Sequence, residues 1–146
     1  MSYILAHPEV VLELTLQHLF MTLTALAISI AVALPLSLLA FRYERLNTLL
    51  LGSLGILYTV PSLAFIILLI PVFGLNATSV IIALVVYTQV ILVRNFVAGL
   101  RAIPPALLEA ATGMGMSRWQ VWWRNQPPLA LPGMVAGVRI AVLGAF

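Results

Sequence analysis

The 146-residue chain contains no cysteine, no lysine and no aspartate. Without cysteine it has no disulfide, no thiol nucleophile and no thiolate metal site. Without lysine it cannot form a phosphate-binding P-loop, so we expect no ATP hydrolysis by that route. Charged residues make up only 8% of the chain, whereas about a quarter is usual for soluble domains. These absences argue against a soluble globular protein.

Apolar residues stand where the charges are missing. They make up 63% of the chain, which is more apolar surface than a soluble core can bury and is typical of helices in a bilayer. The pattern predicts an all-α, multi-pass membrane protein with a single transmembrane domain over residues 1–146. We expect membrane segments at residues 16–40, 49–73, 75–93 and 129–146.

The net charge of +3 comes from seven arginines, and their positions predict the orientation. The loop at 42–45 carries two of them and the region 94–128 carries four, while the N-terminus and the turn at 74–79 carry none. By the positive-inside rule, 42–45 and 94–128 lie in the cytoplasm, and the N-terminus and the 74–79 turn lie outside. Membrane topology explains these scattered arginines better than nucleic acid does, so we expect no nucleic-acid partner.

The second membrane segment is interrupted at its centre. Tyr58-Thr59-Val60-Pro61-Ser62 places a proline and hydroxyl groups inside an otherwise apolar run. Broken spanning helices often line a transport path, and a kink filled by a neighbouring helix is the alternative. Tyr58, Pro61 and Ser62 are therefore candidates for a pathway or a helix break.

Arg139 is a charge inside the last membrane segment. If the membrane interface is near Pro132, Arg139 lies about 10 Å deep by helical rise. A charge at that depth is a candidate functional residue, and a side chain that extends back to the headgroups is the alternative. The sequence leaves both interpretations open.

Proline, glycine and charge collect between residues 104 and 128. Pro104 and Pro105 favour the start of a helix, and Gly113 and Gly115 favour a turn that ends it. This half of the region is predicted to be a short helix followed by a glycine turn.

The second half of this region carries a helix-start signal of its own. Ser117 and Gln120 have the spacing of a capping box, which predicts a second helix over 118–124. Pro127 and Pro128 are expected to stop that helix before the chain re-enters the membrane.

Glu109-Ala110-Ala111, followed after three residues by Gly115, resembles the EAA loop of ABC-importer permeases. Pro128 stands at the position of the family proline, whereas two positions just before it depart from the family pattern. The resemblance implies that 104–128 is the cytoplasmic coupling loop. It also implies that Glu109, Ala110, Ala111, Gly115 and Pro128 serve contact with an ATP-binding subunit.

The resemblance extends to permeases of quaternary-amine importers, which take up glycine betaine, carnitine, choline and similar osmoprotectants. The shared features are Tyr58-Thr59-Val60-Pro61-Ser62-Leu63-Ala64, Leu69-Ile70-Pro71, Arg94-Asn95, Gly99-Leu100 and Glu109 to Gln120. It implies the type I ABC-importer permease fold, similar to the methionine-importer permease, in the inner membrane. It further implies an ABC ATP-binding subunit, a second permease copy or paralogue, and an extracytoplasmic solute-binding protein as partners, with ATP bound by the partner subunit and no cofactor in this chain.

Two alternatives stay open. One is a permease of the same fold for another solute, such as an amino acid. The other is a non-transporting membrane fragment, because members of this family continue beyond the position of Phe146, and the fold is expected to be truncated at its C-terminus.

Catalytic and metal sites are not expected. The chain has four glutamates and two histidines, and His7 and His18 do not have metal-ligand spacing. Five aromatic residues are candidates for holding a quaternary ammonium ion by cation–π attraction, although in sequence they are scattered and packing roles are favoured. They are Tyr58, Phe65, Phe73, Tyr87 and Phe96.

Overall fold

The computed structural model describes residues 8–145, and within that range the chain is mostly helical, with short turns and no strands. The elements are α1 Pro8–Arg42, α2 Glu44–Tyr58, α3 Ser62–Phe73, α4 Ala77–Arg101, α5 Pro105–Gly113, α6 Arg118–Gln120, a π-helical turn Val121–Asn125, and α7 Gln126–Ala145. Two predictions fall outside the described residues. One is the side of the membrane on which the N-terminus lies, and the other is the end of the last predicted segment at Phe146.

Helix α1 is longer than the predicted segment 16–40. It runs over 35 residues and takes in Arg42 in its last turn. The prediction of a loop at 42–45 is therefore wrong, because Tyr43 alone separates α1 from α2. The helix dipole favours a cation in a last turn and an anion in a first turn, so Arg42 and Glu44 suit helix ends as well as a loop.

The segment expected over 49–73 is two helices that meet at an angle of 91°. Pro61 has no N–H to donate and disfavours helical geometry at Val60. The N–H groups of Thr59 and Val60 close the end of α2 onto Ile56 O and Leu57 O at 3.0 and 3.2 Å. The proline thus ends one helix and begins another in a new direction.

Helix α4 is the centre of the molecule and extends eight residues past the predicted end at residue 93. Asn76 caps its start, because its side-chain oxygen accepts from the N–H of Thr78 at 2.9 Å and of Ser79 at 3.3 Å. Arg94 thus lies inside the helix and not in a cytoplasmic loop from 94 onward. The apolar face continues beyond that arginine with buried residues such as Phe96 and Leu100, which keeps the chain helical.

The prolines at 127 and 128 do not stop the helix before them, which corrects that expectation. A π-helical turn over Val121–Asn125 leads directly into α7, and the N–H of Gln126 donates to Val121 O, five residues earlier. Both prolines fall in the first turn of α7. The wider π turn gives their rings room beside the preceding carbonyls, which an α-helical turn would not.

Small residues let α1 and α7 approach α4 closely. On α1 the buried residues facing the bundle are Thr22, Ala25, Ser29, Ala33, Ser37 and Ala40. On α7, a methyl group added at Gly133 would lie 2.7 Å from the Cα of Gly99, and one added at Gly137 would lie 2.5 Å from the Cβ of Asn95. These helices pack backbone to backbone, as membrane helices do where side chains are small.

Three helical stretches are long and apolar enough to cross a membrane. They are α1, α4 and the stretch Arg118–Gly144, which joins α6, the π-helical turn and most of α7. The bent pair α2–α3 passes the same test only when its two halves are taken together, as a broken span or a re-entrant loop. The described part of the chain therefore has three candidate spans, or up to four.

Candidate substrate pathway and coupling surface

The break between α2 and α3 borders a cavity of about 430 Å³, which we call the broken-helix cavity. Three predicted site residues, Tyr58, Pro61 and Ser62, line it. The opposite wall comes from α4 and α7, including Tyr87, Thr88 and Ala141. Its volume lies within the range of about 300–1,000 Å³ that small-molecule sites occupy.

Aromatic rings gather at this break. The ring centroids of Tyr58 and Tyr87 are 5.8 Å apart, and those of Phe65 and Tyr87 are 5.7 Å apart. The hydroxyl of Tyr87 donates a hydrogen bond to the carbonyl oxygen of Val60, so α4 is tied to the break. Three of the five aromatic residues that are scattered in sequence thus form one cluster. Phe96 lies in the core instead.

A second cavity of about 390 Å³ lies beside the first, and we call it the arginine cavity. Arg94 and Asn95 of α4 line it together with Gly55 of α2. Tyr58 and Ile91 line both cavities, so the two are neighbours. The sequence did not single out Arg94 as a site residue. The signal for a site residue is a charge inside an apolar helix, and the predicted end of the segment at residue 93 left Arg94 outside that helix.

Arg139, the other charge inside a predicted span, lines neither of these cavities. It lies exposed on α7, next to Val138, which packs against the core. The structure therefore does not bring Arg139 together with Tyr58, Pro61 and Ser62.

The region predicted to be a coupling loop folds as helix, glycine turn and helix. Helix α5 begins with Pro105 in its first turn, and Gly115 has φ of +85°, a value that favours glycine. Ser117 and Gln120 form the full capping box, with hydrogen bonds of 3.3 and 2.8 Å. The turn is thus held by local hydrogen bonds and backbone geometry.

Helix α5 turns its acidic residue outward and one alanine inward. Glu109 and Ala110 are exposed, whereas Ala111 is 1% exposed. Glu109 borders a groove of about 300 Å³, also lined by Arg118 and Trp122, which we call the coupling groove. Pro128 is exposed in the first turn of α7 and does not line this groove.

The three tryptophans of this region have different surroundings. Trp122 stacks on Phe41 of α1 at a centroid distance of 6.0 Å, which ties the region to the bundle. Trp119 and Trp123 contact each other at 5.4 Å and are both exposed. An exposed aromatic pair of this kind suits a membrane interface or a partner surface.

Among residues 8–145, no group of three or more His, Asp or Glu side chains is placed to hold a metal ion. Neither the broken-helix cavity nor the arginine cavity has an acidic residue in its wall. Aromatic faces, hydroxyls and one guanidinium are what these cavities offer to a solute.

Comparison with known proteins places this geometry in context. The family described as "Binding-protein-dependent transport system inner membrane component" matches residues 25–146. The carnitine transport permease protein OpuCB of Listeria monocytogenes is 36% identical over 129 residues, which cover 88% of this chain and 59% of that protein. The osmoprotectant import permease protein OsmW of Salmonella typhimurium is 35% identical over 146 residues, which cover 97% of this chain and 68% of that protein.

A solved structure of the MetNI methionine ABC transporter in inward-facing conformations has the same fold. The TM-score is 0.70 at 22% identity, over 88% of this chain and 66% of that chain. This likeness confirms the predicted all-α fold. The chain thus spans 59% to 68% of the length of these three proteins.

Proposed function

The chain belongs to the family of binding-protein-dependent transport system inner membrane components, and on this premise we propose that it is a permease subunit of an ATP-driven ABC importer. Its solute is glycine betaine, carnitine, choline or a related osmoprotectant, as the names of its relatives suggest. The observation that carries the proposal is the aromatic cluster of Tyr58, Phe65 and Tyr87 beside a cavity at a helix break. Aromatic faces are suited to quaternary ammonium groups.

The chain is an integral membrane protein, and its orientation follows from the arginines. We place the N-terminus outside and the residues around 42–45 and 104–128 in the cytoplasm. The C-terminal end of α4 and helix α5 then lie on the cytoplasmic side, within reach of an ATP-binding subunit.

Coupling to ATP hydrolysis is assigned to α5 and the turn after it. Glu109 and Ala110 face outward, so a carboxylate and a flat, small surface are available to a partner. Ala111 is buried against the rest of the region, which makes α5 a rigid projection. Gly115 permits the turn, and Pro128 lies in the first turn of the helix that returns to the membrane.

The transporter assembles from separate subunits in this proposal. Two ATP-binding subunits bind and hydrolyse ATP, so this chain is not an enzyme and needs no cofactor. A second permease copy or a paralogue completes the pathway, and an extracytoplasmic binding protein delivers the solute. Closure of the ATP-binding subunits moves α5, and with it the packed helices α4 and α7, as rigid bodies.

The test is uptake of labelled glycine betaine in cells that lack their own osmoprotectant uptake. The chain is co-expressed with an ATP-binding subunit and a binding protein of this family, and a second version continues into the C-terminal region of a relative. We expect uptake that Glu109→Ala lowers at least tenfold. Glu13→Ala, which removes an exposed carboxylate from α1, should leave uptake within about twofold, because substitutions on an exposed surface change the stability little.

Pull-down of the ATP-binding subunit separates the alternatives. Pull-down without betaine uptake would remove the assignment of the solute and favour another solute, such as an amino acid. Loss of both pull-down and uptake, in a chain that still inserts into the membrane, would favour a non-transporting membrane protein.

A further inference from the structure

We propose that the broken-helix cavity and the arginine cavity together form one binding site for a zwitterionic quaternary amine. In this site Tyr58 and Tyr87 hold the ammonium group, and Arg94 holds the carboxylate. The inference rests on the transport function proposed above. It adds the chemical class of the solute and the residues that bind each end of that solute.

The two cavities are placed to share one small molecule. Tyr87, Ile91 and Arg94 follow each other at i, i+4 and i+7 on α4, so they lie on one face of that helix. Ile91 lines both cavities, and so does Tyr58 from α2. The rise from Tyr87 to Arg94 is about 10 Å along the axis.

The aromatic half of the site is suited to a cation that has lost its water. Tyr58 is about half exposed, and its ring lies 5.8 Å from that of Tyr87. The hydrogen bond from Tyr87 to Val60 O fixes the second ring in place. The C-terminal end of α2, which carries partial negative charge, also borders this cavity at Thr59. With no carboxylate in the wall, a quaternary ammonium meets rings and carbonyls and is not held by an ion pair.

The other half of the site carries an uncompensated positive charge. Arg94 is exposed and makes neither an ion pair nor a hydrogen bond with the other residues of the range 8–145. It contrasts with Arg101, two turns further on, which pairs with Glu44 at 2.6 Å. An arginine inside a spanning helix is costly, and such residues commonly face a pathway or a polar partner. A carboxylate is a partner that a guanidinium binds strongly, often through two parallel hydrogen bonds.

A site with these two halves predicts a specific pattern of recognition. Glycine betaine and carnitine carry both an ammonium and a carboxylate, whereas choline carries the ammonium alone. Loss of the guanidinium therefore weakens the zwitterions and spares choline. Loss of a ring weakens all three solutes.

The experiment measures binding of glycine betaine and of choline to the chain in lipid nanodiscs, by saturation-transfer NMR of the N-methyl protons. Arg94→Gln should weaken glycine betaine binding about tenfold or more, as expected for a charged hydrogen bond, and change choline binding less than about twofold. Arg94→Lys should restore part of the loss. Arg139→Gln, which removes a charge from another spanning helix and lines neither cavity, is the matched control and should leave both solutes unchanged.

The aromatic half is tested in the same assay. Tyr58→Leu should weaken both solutes about threefold or more, as cation–π energies indicate, while Tyr58→Phe keeps the ring and should bind as the parent chain does. Equal loss of betaine and choline in Arg94→Gln, no loss in either, or no effect of Tyr58→Leu would overturn the proposal. Uptake by the assembled transporter is measured separately, so transport without this pattern would reject the site and leave the permease function standing.

Discussion

The two faces of α4 differ in how closely their neighbours approach. On one face, α1 and α7 meet α4 through small residues, and a single added methyl group at Gly133 would come 2.7 Å from the backbone of Gly99. Toward α2 and α3, which diverge by 91°, α4 instead borders cavities of about 430 and 390 Å³, which α7 also lines. Helix α4 is thus tightly packed on one side and lines open cavities on another.

This difference indicates which parts of the molecule stay rigid and which hold the solute. The close-packed helices gain dispersion contacts along their length, and such contacts are lost steeply with separation. At the break itself, the broken pair contacts α4 through rings and the hydrogen bond of Tyr87, while leucines of α2 pack against the core further along. We infer that α1, α4 and α7 move together and that the break between α2 and α3 is where local rearrangement costs least.

The largest expected effect comes from a methyl group on the tight face. Gly133→Ala should lower the free energy of unfolding by about 2 kcal/mol, because the new Cβ meets the backbone of α4. The matched control is Gly52→Ala on α2, where an added Cβ has nothing within 4 Å and should be neutral or slightly stabilising. The measurement is the unfolding midpoint in detergent micelles. Equal midpoints for the two variants would show that the close approach of α4 and α7 is not a source of stability.

An intermediate effect is expected at the open face. Tyr87→Phe keeps the ring but removes the hydrogen bond to Val60 O, at a cost of about 1 kcal/mol. We expect amide hydrogen exchange over residues 59–65 to speed up about fivefold, as that energy implies, with little change in α1. Tyr58→Phe is the control, because the hydroxyl of Tyr58 has no hydrogen-bond partner within residues 8–145. Exchange that rises equally across α1 and α4 would mean that the break is not an independent unit.

The smallest effect concerns the ion pair that ties the start of α2 to the end of α4. Glu44 and Arg101 are joined at 2.6 Å but are 73% and 40% exposed, so Glu44→Gln should cost less than about 1 kcal/mol. The cost should shrink as salt is raised, because exposed charges are screened. Unfolding midpoints at low and high salt check this, with Glu13→Gln as the control. A large, salt-independent loss would show that α2 is attached more firmly than its open packing suggests.

Part of the candidate site could be predicted from residues that are close together in the sequence. Pro61 with its hydroxyl neighbours predicted the break, and Tyr58, Pro61 and Ser62 do line a cavity there. Tyr87 and Arg94 complete that site from another helix, and no local pattern links them to Tyr58. The 91° turn was also out of reach, since a proline indicates where a helix breaks but not how sharply the chain turns.

Sequence by itself determined the apolar segments, the capping box at Ser117 and the glycine turn at Gly115, because each depends on residues within a few positions of one another. The tertiary structure alone decided that helix continues through Pro127 and Pro128, that Gly133 meets Gly99, and that Tyr58 meets Tyr87. The two contacts depend on how helices far apart in the chain pack, and packing is settled by the volume that all neighbours leave to each side chain. The continuing helix depends on the π-helical turn over Val121–Asn125, which the proline pair does not indicate. The individual helices and turns are therefore local in origin, whereas their packing and the site are not.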